Sequence, residues 1–210
     1  MSEIALALAS LFYYQDHGNR PDILEFEDLL GRRYKMNMRT KSLYPYAGQY
    51  CPVDIFGYAS NGIPGIEIVG VGKHARNMKE KFIYLSREKK LKFPLKRFVL
   101  CVEGELEGKK FKDEEYRYLE LPLLMMLWSL TGHLPLKQLE DCFASGKISI
   151  EGEVSELKLT QNEQKNLNDL FKLTEDQSLK VIAPNHMEVY EDYYHLPFEG
   201  LMESLLISAK

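Results

Sequence analysis

The sequence predicts an α/β fold: an α-β-β-β-α-β core with a mixed central sheet, followed by a mainly helical C-terminal half. One segment with the period-2 alternation of a strand, residues 34–40, and several short apolar runs fall between residues 34 and 102. Amphipathic helix patterns precede and interrupt these segments, and longer helix-like runs dominate from residue 121 onward. We therefore divide the chain into a core over residues 1–110 and a helical extension, packed on that core, over residues 111–210.

The first predicted elements are two helices and a strand. Ser2 is a suitable N-cap for a helix that ends near Tyr14. The segment "PDILEFEDLLGRR" (residues 21–33) has the spacing of an amphipathic helix, with a proline in its first turn. The segment "YKMNMRT" (residues 34–40) alternates in the manner of a strand and predicts the first one.

A hairpin, a helix and a fourth strand complete the predicted core. After a loop rich in Tyr, Pro and Gly, residues 52–73 hold two apolar arms joined by Asn61-Gly62, a dipeptide typical of tight hairpin turns. A helix is expected over residues 75–87. The apolar segment "RFVLCV" (residues 97–102) predicts the strand that follows it.

Three segments of the C-terminal half have helical patterns: "LPLLMMLWSLTG" (residues 121–132), "LPLKQLEDCFASG" (residues 134–146) and "TQNEQKNLNDLFKL" (residues 160–173). The third begins with a capping box formed by Thr160 and Glu163. A small hairpin is expected over residues 179–190, and a last helix from about Phe198.

Composition favours a soluble, intracellular protein. The 210 residues are 45% hydrophobic and 28% charged, which is typical of globular chains. The first residues lack the basic region of a signal peptide, and the longest uncharged run, residues 121–136, is too short to span a bilayer. Cys51, Cys101 and Cys142 are scattered without a CxxC pair. We therefore expect reduced thiols, no zinc site and a cytoplasmic location.

Charge is distributed unevenly along the chain. The net charge is −4, but residues 1–102 carry +6 and residues 103–210 carry −10. Residues 73–97 are the most basic stretch, with Glu80 and Glu88 as their only acidic residues. This pattern is compatible with a surface that follows nucleic-acid phosphates, although a charge run by itself favours a solvated helix face.

Two carboxylates stand in the arms of the predicted hairpin. With Asn61-Gly62 as a two-residue turn, the period of 2 puts Asp54 and Glu67 on one face as diagonal neighbours. Two adjacent carboxylates among apolar residues require a positive partner, and oxygen ligands suit Mg²⁺ or Mn²⁺. The alternative is that both are ordinary surface residues.

The order of these elements resembles the PD-(D/E)XK nuclease superfamily, and most closely the archaeal Holliday-junction resolvases. The resemblance covers residues 21–103, with Asp54 in "PVD" and Glu67 in "IEIV" at the two acidic positions. It implies a restriction-endonuclease-like fold and metal-dependent hydrolysis of DNA phosphodiester bonds, with Glu25 or Glu27 as a further acidic ligand of Mg²⁺ or Mn²⁺. It also implies a homodimer acting on a duplex, an end or a branched junction.

One position departs from that family, because its lysine is replaced by Val69. Lys73 and then Lys79 are the preferred substitutes for the cation that polarises the attacking water. If neither acts, the chain is a DNA-binding relative without catalysis. The residues expected to contact DNA are basic and flank the predicted site: Arg32, Arg33, Lys35, Arg39, Arg76 and Lys81.

A competing pattern overlaps the same segment. Gly70, Gly72 and Ala75 form G-x-G-x-x-A between a predicted strand and a helix, which is the fingerprint of a dinucleotide-binding turn. Two features oppose it. The nearest acid for the ribose is Glu103, 28 residues after Ala75 rather than about 20. A glutamate in mid-strand, here Glu67, is also unusual for the buried first strand of such a sheet.

Overall fold

The computed structural model of the chain describes residues 26–27, 33–34, 38–46, 49–104, 114–134, 139, 142–171, 179–184 and 193–198. The chain divides into two compact units, residues 1–37 and residues 38–210. The helix expected from Ser2 to Tyr14 lies outside the described residues. Of the helices that are described, none is long and apolar enough to cross a membrane.

The first unit contains two short antiparallel strands, β1 (Phe26–Glu27) and β2 (Arg33–Tyr34). Phe26 pairs with Tyr34 and Glu27 with Arg33. The helix predicted over residues 21–33 is therefore wrong at these positions. Helical periodicity is a local signal, and strand pairing between residues six and eight positions apart overrides it here.

The second unit is built on a mixed sheet of seven strands, as the predicted α/β class requires. The described strands of this unit are, in chain order, β3 (Met38–Tyr46), β4 (Gln49–Ser60), β5 (Gly65–Val69), β6 (Arg97–Gly104), β7 (Cys142–Ala144), β8 (Gly146–Ile148), β9 (Val154–Glu156), β10 (Lys180–Ala183) and β11 (Tyr194–Pro197). The sheet has the spatial order β11-β10-β7-β3-β4-β6-β5, and β8 pairs with β9 separately. Within the sheet, β3–β4 and β4–β6 are antiparallel, and the other neighbours are parallel.

The strand order corrects the predicted hairpin. Strand β6 lies between β4 and β5, so the two arms joined by Asn61-Gly62 do not pair with each other. The hairpin of this region is formed instead by β3 and β4, whose last pair is Tyr46 with Gln49. Residues 42–46 and 49–51 of the Tyr/Pro/Gly segment, predicted as a loop, therefore form strand ends. Turn residues predict where a chain reverses, but strand pairing depends on which later segment fills the adjacent position.

Helix α1 (Ala75–Glu88) connects β5 to its parallel neighbour β6, and it confirms the helix predicted at residues 75–87. A β-strand, a helix and a parallel strand in this order form a βαβ unit. The buried side of α1 carries Met78, Phe82 and Leu85, and the helix packs against β5. The order β-β-β-α-β predicted for residues 34–102 is therefore present, although the strand order differs from the prediction.

Helix α2 (Glu120–Leu130) is buried along its whole length. It packs on one face of the sheet, where it contacts β3, β4 and β6. Gly57 of β4 permits this close packing, since a Cβ atom there would lie 2.9 Å from Leu130 Cδ1. This helix confirms the prediction for residues 121–132.

The C-terminal half contains more strand than predicted. Residues 142–144, expected in a helix, form β7 and pair with β3 and β10. Two short helices, α3 (Gln161–Lys165) and α4 (Leu167–Leu170), follow, and the capping box of Thr160 and Glu163 is confirmed. They belong to an apolar cluster that includes Leu43, Phe143, Leu167 and Phe171. This cluster covers the second face of the sheet at β3, β7 and β10.

Candidate functional site

Asp54 lies in a row of charged residues that crosses three strands. Its register partners are Lys41 of β3 and Glu103 of β6. Lys41 Nζ is 3.7 Å from Asp54 Oδ1, and this oxygen is buried without a hydrogen-bond donor among the described residues. Asp54 thus has the Lys41 ammonium on one side and the carboxylate of Glu103 opposite it on the other, and like charges in that position repel.

Glu67 lies on the strand at the edge of the sheet. It pairs with Val99 of β6 and forms an ion pair with Arg97, and the two side chains are 49% and 47% exposed. This exposure leaves the ion pair in water, where its contribution to stability is small. Glu67 is therefore compensated locally and has no need of a metal ion.

The predicted carboxylate pair is not formed. Register through β6 puts Asp54 and Glu67 on the same face, as expected. They are nevertheless two strands apart and offset by four residues of β6, which corresponds to about 16 Å between their Cα atoms. A single ion cannot bridge carboxylates at that separation. Among the described residues, no group of three His, Cys, Asp or Glu side chains is placed to hold a metal.

The other residues expected in a nuclease site are dispersed. Lys73 is exposed beside the start of α1, and Lys79 lies within α1 with Glu80 at 3.8 Å. Glu27 is part of β1, while Glu25 lies outside the described residues. Their catalytic and metal-binding roles remain predictions.

The residues expected to contact DNA fall into three groups. Arg39 and Arg76 are exposed, on β3 and α1. Arg33 belongs to β2, and Arg32 and Lys35 lie outside the described residues. Lys81 is instead directed into the protein, where Nζ donates to Glu120 Oε1 at 2.6 Å and to the Ile148 carbonyl at 3.0 Å. The Lys81 ammonium group thus makes its contacts within the protein.

Helix α1 and the loop after it present a basic surface. Its exposed cationic side chains are Lys73, Arg76, Arg87, Lys90 and Lys92. Tyr84, 49% exposed, and Leu95, 86% exposed, lie among them in the sequence. Cations interleaved with exposed aromatic and aliphatic groups suit contact with phosphates and bases.

The turn between β5 and α1 has the conformation that the G-x-G-x-x-A pattern predicts. Gly70 and Gly72 are exposed and have φ of 91° and 56°, in the region that favours glycine. A Cβ atom on Gly70 would lie 2.2 Å from the Val102 carbonyl oxygen, whereas one on Gly72 would meet nothing within 4 Å. Gly70 therefore permits close strand contact, and Gly72 leaves open space in front of the helix.

The N-terminus of α1 is suited to an anion. No acidic residue occupies the first turn of α1 or the 3-10 turn Gly72–His74 before it, and no side chain caps either one, in a segment that is fully described. Backbone N–H groups at a helix start carry partial positive charge. The His74 ring, which is buried, stacks on Tyr116 at 3.9 Å and holds this turn against residues 115–119.

Glu103 lies at the end of β6, beyond the last β5–β6 pair of Val69 with Cys101. Its long sequence separation from Ala75 is explained by the loop between α1 and β6, which occupies residues 89–96. Glu67 is accommodated because β5 lies at the edge of the described sheet and Glu67 is exposed, whereas the first strand of a dinucleotide-binding sheet is buried. In the sequence, Glu103 is marked only by its distance from Ala75, and no local signal predicts its pairing with Asp54.

Comparison with known proteins adds no assignment: no protein-family profile matches the chain, and no curated protein is significantly similar to it.

Proposed function

We propose that this protein binds a dinucleotide at the turn between β5 and α1. The observation that carries the proposal is the parallel βαβ unit whose first turn exposes Gly70 and Gly72 with positive φ at a helix start. The pyrophosphate is expected at the N-terminus of α1, where backbone N–H groups and Lys73 favour negative charge. Glu103 is the candidate acceptor for ribose hydroxyl groups.

Thermal unfolding with NAD(H) and NADP(H) tests this proposal. A ligand at a hundred times its dissociation constant adds about 2.7 kcal/mol, which raises the melting temperature by roughly 5 to 10 °C. Gly72→Ala should reduce the shift by filling the open space before the helix. Gly132→Ala is the matched control, since Gly132 also has positive φ (77°) and open surroundings but follows α2. The absence of a saturable shift with all four cofactor forms would contradict the proposal.

A second candidate, DNA binding, rests on the basic surface of α1 and its loop. Affinity should fall steeply with added salt if several phosphates are neutralised. Arg76→Gln and Lys90→Gln should each weaken binding to every sequence alike. A flat salt dependence, or no binding at low salt, would count against this candidate.

The metal-dependent nuclease implied by the resemblance is tested by a DNA cleavage assay. Wild type, Asp54→Asn and Glu67→Gln are incubated with linear and branched DNA and Mg²⁺ or Mn²⁺. The amides keep the size of the side chains and remove the charge that a metal requires, so cleavage that depends on either carboxylate would fall by orders of magnitude in the corresponding variant. Cleavage that survives both substitutions would come from elsewhere.

A further inference from the structure

A groove of about 320 Å³ lies at the other end of the βαβ unit, away from the glycine turn. It is bounded by the start of β5, the C-terminal turns of α1, the loop after α1 and the start of β6. The lining residues that form its apolar interior and its cationic rim include Ile66, Ile83, Arg87, Leu91, Phe93 and Phe98. The volume is at the lower end of the range for small-molecule sites, roughly 300 to 1,000 Å³.

The groove has an apolar interior that is only partly covered. Leu91 and Phe98 form a buried floor, whereas Ile66, Ile83 and Phe93 retain partial exposure to solvent. Apolar surface left in contact with water at a concave site gains free energy when another apolar group covers it. The interior therefore favours a hydrocarbon chain over a polar ligand.

The polar lining is cationic. Arg87 is exposed, and its guanidinium has no ion pair among the described residues. Lys96 also lines the groove, and none of the ten lining residues is acidic. The C-terminal carbonyl groups of α1 disfavour an anion at this end of the helix, so anion binding would depend on the guanidinium.

The walls are held in place by hydrogen bonds. Ser86 Oγ donates to the Phe82 carbonyl at 2.6 Å and accepts from Trp128 Nε1 at 2.9 Å. The Leu91 amide donates to the Ser86 carbonyl at 2.9 Å, and His133 Nε2 lies 2.9 Å from the Lys92 carbonyl oxygen. A groove fixed in this way loses little conformational entropy when a ligand binds.

We propose that this groove binds a small amphipathic carboxylate, with its hydrocarbon chain on Ile66, Ile83 and Phe93 and its carboxylate on Arg87. The site is independent of the dinucleotide turn, because none of the residues that line the groove belongs to that turn. A guanidinium pairs with a carboxylate through two parallel hydrogen bonds, and the fixed apolar walls accept one chain. The combination distinguishes this ligand class from a nucleic acid, which offers no hydrocarbon chain.

Isothermal titration with decanoate, below its micellar range and without DNA or nucleotide, tests the proposal. We expect saturable binding of one decanoate per chain, and none of acetate or decyltrimethylammonium at equal concentration. Arg87→Gln should weaken binding about tenfold to a hundredfold, which is the effect of losing a hydrogen bond to a charged group. Phe93→Ala should also weaken it, whereas Arg76→Gln, an exposed arginine on the same helix outside the groove, should not.

Several results would overturn the proposal: no saturable binding of decanoate, equal binding of the cationic analogue, or equal effects of Arg87→Gln and Arg76→Gln. Far-ultraviolet circular dichroism of each variant separates loss of binding from loss of fold. A variant that is unfolded is replaced by Ile83→Ala, which shortens the apolar wall at a partly exposed position.

Discussion

Lys81 of α1 and Glu120 of α2 form an ion pair at 2.6 Å, and the Glu120 side chain is 1% exposed. Glu120 also accepts from the Ile148 amide at 2.8 Å and from Arg117 Nε at 3.4 Å. A carboxylate buried to this degree is tolerated because several donors surround it. This network connects both helices to β8.

Lys81→Met should destabilise the protein by about 3 to 5 kcal/mol, because it leaves the buried Glu120 carboxylate without its closest cation. Lys79→Met is the control, since Lys79 is on the same helix and half-exposed, and should change stability by about 0.5 kcal/mol or less. Urea unfolding measures both. If Lys81→Met lowers the free energy of unfolding no more than the control does, the ion pair contributes little to stability. Lys81 would then be available for contact with a ligand.

Gly70→Ala should be far more damaging than Gly72→Ala. Both positions have positive φ, which costs a residue with a Cβ atom about 1 to 2 kcal/mol. At Gly70 the new Cβ would also collide with the Val102 carbonyl, 2.2 Å away, so β5 must shift from β6. Thermal unfolding of the two variants measures the difference. Equal losses would show that β5 does not approach β6 as closely as described.

A disulfide tests the strand order. Phe56 of β4 pairs with Cys101 of β6, so Phe56→Cys should crosslink to the native thiol on mild oxidation. Phe56→Cys with Glu67→Cys, in a Cys101→Ser background, should not crosslink. Strand β6 separates these positions by about 12 Å, beyond the reach of a disulfide of about 7 Å. A crosslink between positions 56 and 67, with none between positions 56 and 101, would instead support the predicted hairpin between β4 and β5.

Cys101 should react with iodoacetamide only at more alkaline pH than an ordinary thiol. Partial burial, together with the carboxylates of Glu67 and Glu103, raises its pKa. Since the thiolate is the reactive form, the rate increases as the pH passes this raised pKa. Glu67→Gln and Glu103→Gln remove negative charge and should move the profile to lower pH, whereas Glu80→Gln on α1 should not. Peptide-level mass spectrometry separates Cys101 from the other cysteines, and an unmoved profile in both variants would refute the coupling.

The sequence by itself determined part of the local structure. Short apolar runs located β4, β5 and β6, helical patterns located α1 and α2, and the Thr160 capping box located the start of α3. The glycine pattern also predicted the conformation of the turn before α1. All of these depend on neighbouring residues, because backbone preference and side-chain periodicity act over one or two turns or a few strand residues.

Tertiary structure decided which elements meet. Residues 52–69 have the pattern of a hairpin, but β6 occupies the position beside β4, and only long-range pairing through the βαβ connection determines this. The same pairing brings Glu103 next to Asp54 and moves Glu67 to the edge of the sheet. Residues 142–144 became a strand for the same reason, since the edge of β3 accepts them. Strand neighbours are chosen by contacts between segments distant in sequence, and no local pattern encodes that choice.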